Sequence, residues 1–127
     1  MRTSAWIAIA LLAAVIAGGL LTGGMMQNLS RRYQAAADEL RDLTDREDWS
    51  RAEQAVAVCL DDWRSRVDAL QMLNNHDDTD DVTLSLLTLQ AAIAAQDRAG
   101  CLAACAQLRE QALHLYHRDA FTLANVL

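Results

Sequence analysis

At 127 residues the chain has room for one apolar N-terminal segment and one domain of about 100 residues, and a second core is excluded. It contains no proline and five glycines, four of them at Gly18, Gly19, Gly23 and Gly24, so beyond Gly24 almost nothing interrupts a helix. The net charge is −6, every basic residue is arginine, and past the N-terminal segment ten positive charges face seventeen negative ones, which argues against a nucleic-acid partner.

From Ala5 to Met26 the chain carries no charge and is rich in Ala, Ile and Leu. As a helix such a run covers about 33 Å, enough to cross a bilayer. A cleaved signal peptide is the rival reading, but the run is long for one and no Ala-x-Ala closes it. We therefore expect residues 1–26 to be an uncleaved signal-anchor and 27–127 to be the domain. Gly19 and Gly23 form a small-xxx-small pair through which two anchors could pack as a homodimer. The arginines after the anchor, Arg31, Arg32 and Arg41, favour a cytoplasmic domain by charge count, while the signal-anchor layout favours an extracytoplasmic one. The expected location is the cell membrane, single-pass, with the domain on the extracytoplasmic side.

Four helices follow from the apolar periodicity, at about 28–44, 48–74, 80–96 and 99–119, with a short C-terminal tail. The first carries Leu29, Tyr33, Ala36, Leu40 and Leu43 on one stripe and continues the anchor. Asp48 caps the second, with Ser50 and Glu53 as an alternative box, and its stripe runs Trp49, Val56, Leu60, Trp63, Val67 and Leu70, both tryptophans facing one core. Acids from Asp77 to Asp81 suit the start of the third helix, whose stripe is Val82, Leu86, Leu89 and Ile93. Asp97 caps the fourth, which carries Leu102, Cys105, Leu108, Ala112 and Leu115. Asp48 and Asp97 open similar stretches, which we read as ordinary helix-start chemistry, because two units are too few for a solenoid. No strand-like alternation occurs. The expected fold class is all-α, an N-terminal transmembrane helix continuing into a small antiparallel helical bundle.

In this order of segments, Glu47-Asp48-Trp49 with Ala52, Trp63, His76 with Asp78 and Asp81, Asp97, and the closing Thr122-Leu123-Ala124-Asn125-Val126-Leu127 form a series of marks. Together with the anchor they resemble a bacterial family known as domain of unknown function 4363. The resemblance covers most of the chain, although this chain is rich in alanine and arginine where that family favours lysine, glutamate and isoleucine. It implies a membrane-anchored helical domain, supplies no catalytic residues, and suggests association with multi-pass membrane proteins of another uncharacterised family.

Motifs that would carry chemistry are few. Cys101 and Cys105 with His114 and His117 resemble a zinc pattern, but a continuous helix separates Cys105 from His114 by about 13 Å, too far for one ion. The three cysteines, Cys59 included, read as small buried apolar residues. The run from His76 to Asp81 lacks the glycine and glutamate of an EF-hand loop. Antiparallel packing of the last two helices would gather His76, Asp78, Asp81, His114 and His117 into one polar cluster at the membrane-facing end. The C-terminal Phe121, Leu123, Val126 and Leu127 would lie there too, as a partner contact. No nucleophile elbow, phosphate-cradling loop, HExxH or dinucleotide fingerprint is present, so neither a catalytic residue nor a cofactor nor a metal site is assigned.

The function expected is therefore a non-catalytic accessory or interaction subunit of an integral membrane partner. The bilayer, that partner and a second copy of the anchor are its expected contacts. Two alternatives are a ligand- or metal-sensing module built on the His/Asp cluster and a membrane-bound hydrolase using His76 or Asp78.

Overall fold

The computed structural model describes the backbone of residues 2–73 and 76–126, and the side chains of 2–72 and 76–115. Four helices account for it: α1 (Arg2–Asp45), α2 (Trp49–Leu73), α3 (His76–Ala94) and α4 (Arg98–Val126). With neither proline nor a helix-ending glycine at a stop position, α1 runs unbroken from the apolar segment into the domain for 44 residues.

The apolar stripes zip four antiparallel helices around one core. Leu29, Tyr33, Leu40 and Leu43 of α1, Val56, Leu60, Trp63 and Leu70 of α2, all four stripe residues of α3, and Cys105, Leu108, Ala112 and Leu115 of α4 are buried. Trp49 and Val67 pack half-buried against them. Ala37, and not Ala36, is the buried alanine of α1. The reason is that α1 packs against two neighbours, α2 and most extensively α4, so its buried band is wider than a single stripe. α3 completes the ring between α2 and α4.

Polar side chains enter this core with their bonds satisfied along or across the helices. Ser30 Oγ donates to the Ala112 carbonyl at 2.6 Å, Thr44 Oγ1 to the Leu40 carbonyl at 2.8 Å, and Ser85 Oγ to Gln111 Oε1 at 2.5 Å. Among the described residues no buried side-chain nitrogen or oxygen lacks a partner.

The two turns at the far end share one design. α1 closes with Asp48 N donating to the Leu43 carbonyl at 3.0 Å around a left-handed Glu47 (φ 55°), and α3 with Asp97 N donating to the Ala92 carbonyl at 2.9 Å around a left-handed Gln96 (φ 53°). The next helix is then capped by the aspartate, Asp48 Oδ1 accepting from Arg51 N at 3.3 Å and Asp97 Oδ1 from Gly100 N at 3.1 Å. A methyl group at Gly100 would meet the Asp97 carboxylate, which would have to turn aside, whereas the twin cap accommodates Arg51 at the equivalent position.

The same offset of 49 positions that relates the two caps carries Ser30, Tyr33, Ala37, Leu40 and Thr44 onto Thr79, Val82, Leu86, Leu89 and Ile93, every one of them buried. The paired aspartate stretches are thus more than helix-start chemistry. They mark two hairpins, α1–α2 and α3–α4, built on one register.

Two expected boundaries move. α3 begins at His76, because the acids Asp77 and Asp78 favour its first turn and need no separate linker. The expected C-terminal tail belongs to α4, whose backbone stays helical to Val126, since no glycine or proline follows Gly100 to stop it.

The left-handed caps give a test. Gln96→Gly removes a Cβ clash at a positive φ and should raise stability by about 0.5 to 1 kcal/mol after the entropy cost of glycine, measured by urea denaturation in detergent.

Candidate functional site: the furrow between the first two helices

α1 and α2 are the most sparsely packed neighbours in the ring, and their seam opens into a furrow in two parts that share Arg32. The upper part, about 790 Å³, has Ala36, Ala55 and Cys59 along it and charges such as Glu39, Asp42, Arg46 and Arg51 on its rims. The lower part, about 650 Å³, runs beside the end of the apolar segment and is lined by Leu20, Gly24, Met25 and Leu29 of α1 and Ala69 and Leu70 of α2, with Arg32 and Arg66 among its polar residues.

Asp62 sits where the two parts meet. Its Oδ2 accepts the Tyr33 hydroxyl at 2.8 Å and Arg66 Nε at 3.2 Å, and its Oδ1 pairs with Arg32 Nη2 at 3.2 Å. Tyr33 in turn meets Trp63 edge-on, ring centroids 5.2 Å apart at 83°, and Trp63 Nε1 donates to Thr83 Oγ1 at 2.8 Å. Thr83 Oγ1 in turn donates a hydrogen bond to the Thr79 carbonyl at 2.9 Å, so one chain of contacts ties α1 to α2 to α3.

Partial burial pushes the Asp62 carboxyl up, but the Tyr33 bond and the Arg66 and Arg32 charges outweigh it and hold the group below the usual carboxylate range. Burial, then the bond to Asp62, drives the Tyr33 hydroxyl far above its ordinary value, so it stays a donor. A carboxylate already accepting three donors is a weak proton acceptor, and Asp62 therefore acts as a clamp that fixes two guanidiniums in place.

The cysteines are free, Cys101 and Cys105 buried and Cys59 half-buried. Burial pushes the Cys59 thiol up to about 11 and the Cys105 thiol up to about 12, and raises Cys101 as well. α4 is continuous through Cys105 and His114, and the His114 imidazole faces Glu110 at 3.5 Å. No group of three His, Cys, Asp or Glu side chains among the described residues could hold a metal ion.

His76, Asp78 and Asp81 stand in the first two turns of α3. The Ser85–Gln111 bond sets a register that brings His114 level with about Val82, so these residues share one end of the bundle, with His76 roughly 9 Å further along the axis. The side chains of His117, Phe121, Leu123 and Val126, and the whole of Leu127, lie outside the described residues. Gly19 and Gly23 are half-buried while Gly18, Leu20, Leu21 and Gly24 are exposed, and they continue the face of α1 that carries Met26 and Ser30 into the core. A Cβ added at Gly23 would meet open space.

Sequence reasoning missed Asp62. Its spacing to Arg66 and its place beside Trp63 were visible, but its partners Tyr33 and Arg32 come from another helix, and only the pairing register brings them together.

Two expectations follow. The folded Asp62 carboxyl lies below its unfolded value of about 3.9, so its contribution is complete above that pH and is lost as pH falls through the lower folded value. Tyr33→Phe should lower stability at pH 7 by about 1 to 3 kcal/mol and shrink the acid-induced loss between pH 7 and pH 2, read by urea denaturation at each pH. Raised thiol values depress the thiolate fraction, so at pH 8 maleimide should label Cys105 roughly a thousandfold more slowly in the native chain than in denaturant, with Cys59 in between.

Among known proteins, the model of the family described as domain of unknown function (DUF4363) matches residues 22–126. Searches of the curated proteins and of the solved structures give no match.

Proposed function

The chain belongs to the DUF4363 family, and on that premise we propose that it is a membrane-anchored, non-catalytic accessory or interaction subunit of an integral membrane partner. The observation that carries this reading is the division of α1. One helix of 44 residues is exposed at every described position up to Gly18 and buries one face in the bundle from Met26 onward. Trp6, Leu12, Val15 and Leu21 expose 61 to 76% of their surface, a larger continuous apolar face than water tolerates on a monomer. A helix of this length and composition is able to cross a bilayer.

Embedding that face in lipid leaves the bundle standing at the membrane surface with no flexible linker between. The end formed by the last turns of α2 and the first of α3 then faces the headgroups, on the extracytoplasmic side in the orientation we favour. A partner crossing the same membrane meets this end first. Its contacts would include the α3 acids and the C-terminal residues Phe121, Leu123, Val126 and Leu127.

The test is an affinity pull-down of the full-length protein from its native membrane in mild detergent, beside a variant lacking Phe121 to Leu127 whose helicity is checked by circular dichroism. A stoichiometric membrane protein recovered with the first and lost with the second is the expected result. Recovery of the chain alone from both would overturn the partner reading, and release of the chain from membranes by alkaline carbonate would overturn the anchor.

A further inference from the structure

The lower furrow has an order of chemistry along its length. Its deep end is apolar, at Leu20, Leu21, Gly24 and Leu70, and its upper end carries Arg32 and Arg66. No carboxylate is among its lining residues. Asp62, just above, takes one contact from each guanidinium at 3.2 Å and so fixes both while cancelling only one of their two charges. Both arginine side chains stay partly exposed, at 58% and 41%, with further N–H donors free of Asp62.

Given the anchor reading above, on which this inference rests, we propose that the lower furrow binds one anionic phospholipid. Its phosphate lies against Arg32 and Arg66, and one acyl chain lies along Leu20, Leu21, Gly24 and Leu70.

The dimensions agree with a lipid standing in its own leaflet. From Leu20 to Arg32 is about 18 Å along the helix, against about 15 Å for half of a bilayer's hydrocarbon core. Arg32 stands about 9 Å beyond Met26, where the apolar run ends, close to the depth of the headgroup layer. The furrow's polar end points toward the domain, as a headgroup does. Guanidinium pairs bind phosphate oxygens with directed hydrogen bonds, and the net positive charge left after Asp62 favours a headgroup of single negative charge over a zwitterionic one. Gly24 forms part of the floor, and a Cβ added there meets open space, so the groove is unfilled by the protein itself.

The full-length protein would be purified in mild detergent, exchanged into micelles doped with phosphatidylglycerol or phosphatidylcholine, and examined by native mass spectrometry. One phosphatidylglycerol retained per chain, at least about tenfold over phosphatidylcholine, is expected. Gly24→Phe, whose Cβ meets open space and whose ring would occupy the groove, and Arg32→Gln with Arg66→Gln should each cut that retention by about tenfold. Since the arginine variant removes partners of Asp62, the glycine variant, with unchanged helicity and melting temperature, carries the decision.

Equal retention of both lipids, or undiminished retention by Gly24→Phe, would overturn the proposal in favour of an unspecific lipid shell. Displacement of phosphatidylglycerol by millimolar inorganic phosphate would reduce the site to a free-anion site and overturn it too. So would loss of a captured membrane protein from Gly24→Phe with lipid retention intact, since the groove would then be a protein dock. Chain that stays in the carbonate-washed membrane yet retains no phosphatidylglycerol overturns this inference alone, whereas chain released by carbonate overturns the anchor with it.

Discussion

Along the α1–α2 seam the bundle is closed by a polar contact more than by an apolar one. The Tyr33 hydroxyl reaches across to Asp62, and everything near it is arranged around that bond. Tyr33 must point inward to make it, which brings its ring edge-on to Trp63, and Trp63 is the largest fully buried side chain of the core. The indole then reaches Thr83, so the position of α3 depends on the same link. Because Asp62 is satisfied by Tyr33, Arg66 and Arg32 together, the seam stays joined at its waist while the helices part above and below it. A seam closed by leucines would have filled the furrow. This one is pinned at one level and left open on either side.

The two hairpins share a register but not a degree of closure. At equivalent positions α1 and α3 bury the same five-residue pattern, and their turns place a left-handed residue, Glu47 or Gln96, directly before an aspartate cap. Yet α3 lies against α4 more closely than α1 lies against α2, while α1 makes its broadest contact with α4, the helix furthest from it in sequence. Part of the difference lies in side-chain size, since Ala35, Ala36 and Ala55 line the first seam. The surface that opens is therefore a property of the first hairpin, the one continuous with the apolar segment.

The helices and their core were largely legible. Strict spacing in α3, the caps at Asp48 and Asp97, and the burial of Trp63 all followed from the residues themselves, and membership of the family agrees with the marks that carried the resemblance. What escaped depended on which helix stands beside which. Ala36 and Ala37 are equivalent until two neighbours, not one, define the buried band. The apolar stripes leave out Ser30, Thr79 and Ser85, whose burial requires carbonyls and amides supplied across or along a helix. Asp62 is one of seventeen acids until Tyr33 and Arg32 arrive from another helix. The helix ends that moved are the start of α3, which its acids draw back to His76, and the end of α4, which neither glycine nor proline stops.

Continuity of α1 also fixes an azimuth. Each residue of an α-helix turns the chain by about 100°, so an unbroken helix sets the direction in which every later side chain points relative to every earlier one. In this protein the face that buries Met26, Ser30 and Tyr33 is the same face that carries Gly19 and Gly23, while Leu20, Leu21 and Gly24 open toward α2 and the furrow. In the membrane-anchored chain proposed above, whatever packs against one side of the apolar segment in the plane of the bilayer determines toward which compass point the furrow looks, and a change in the segment's length by one residue would redirect it by more than a quarter turn.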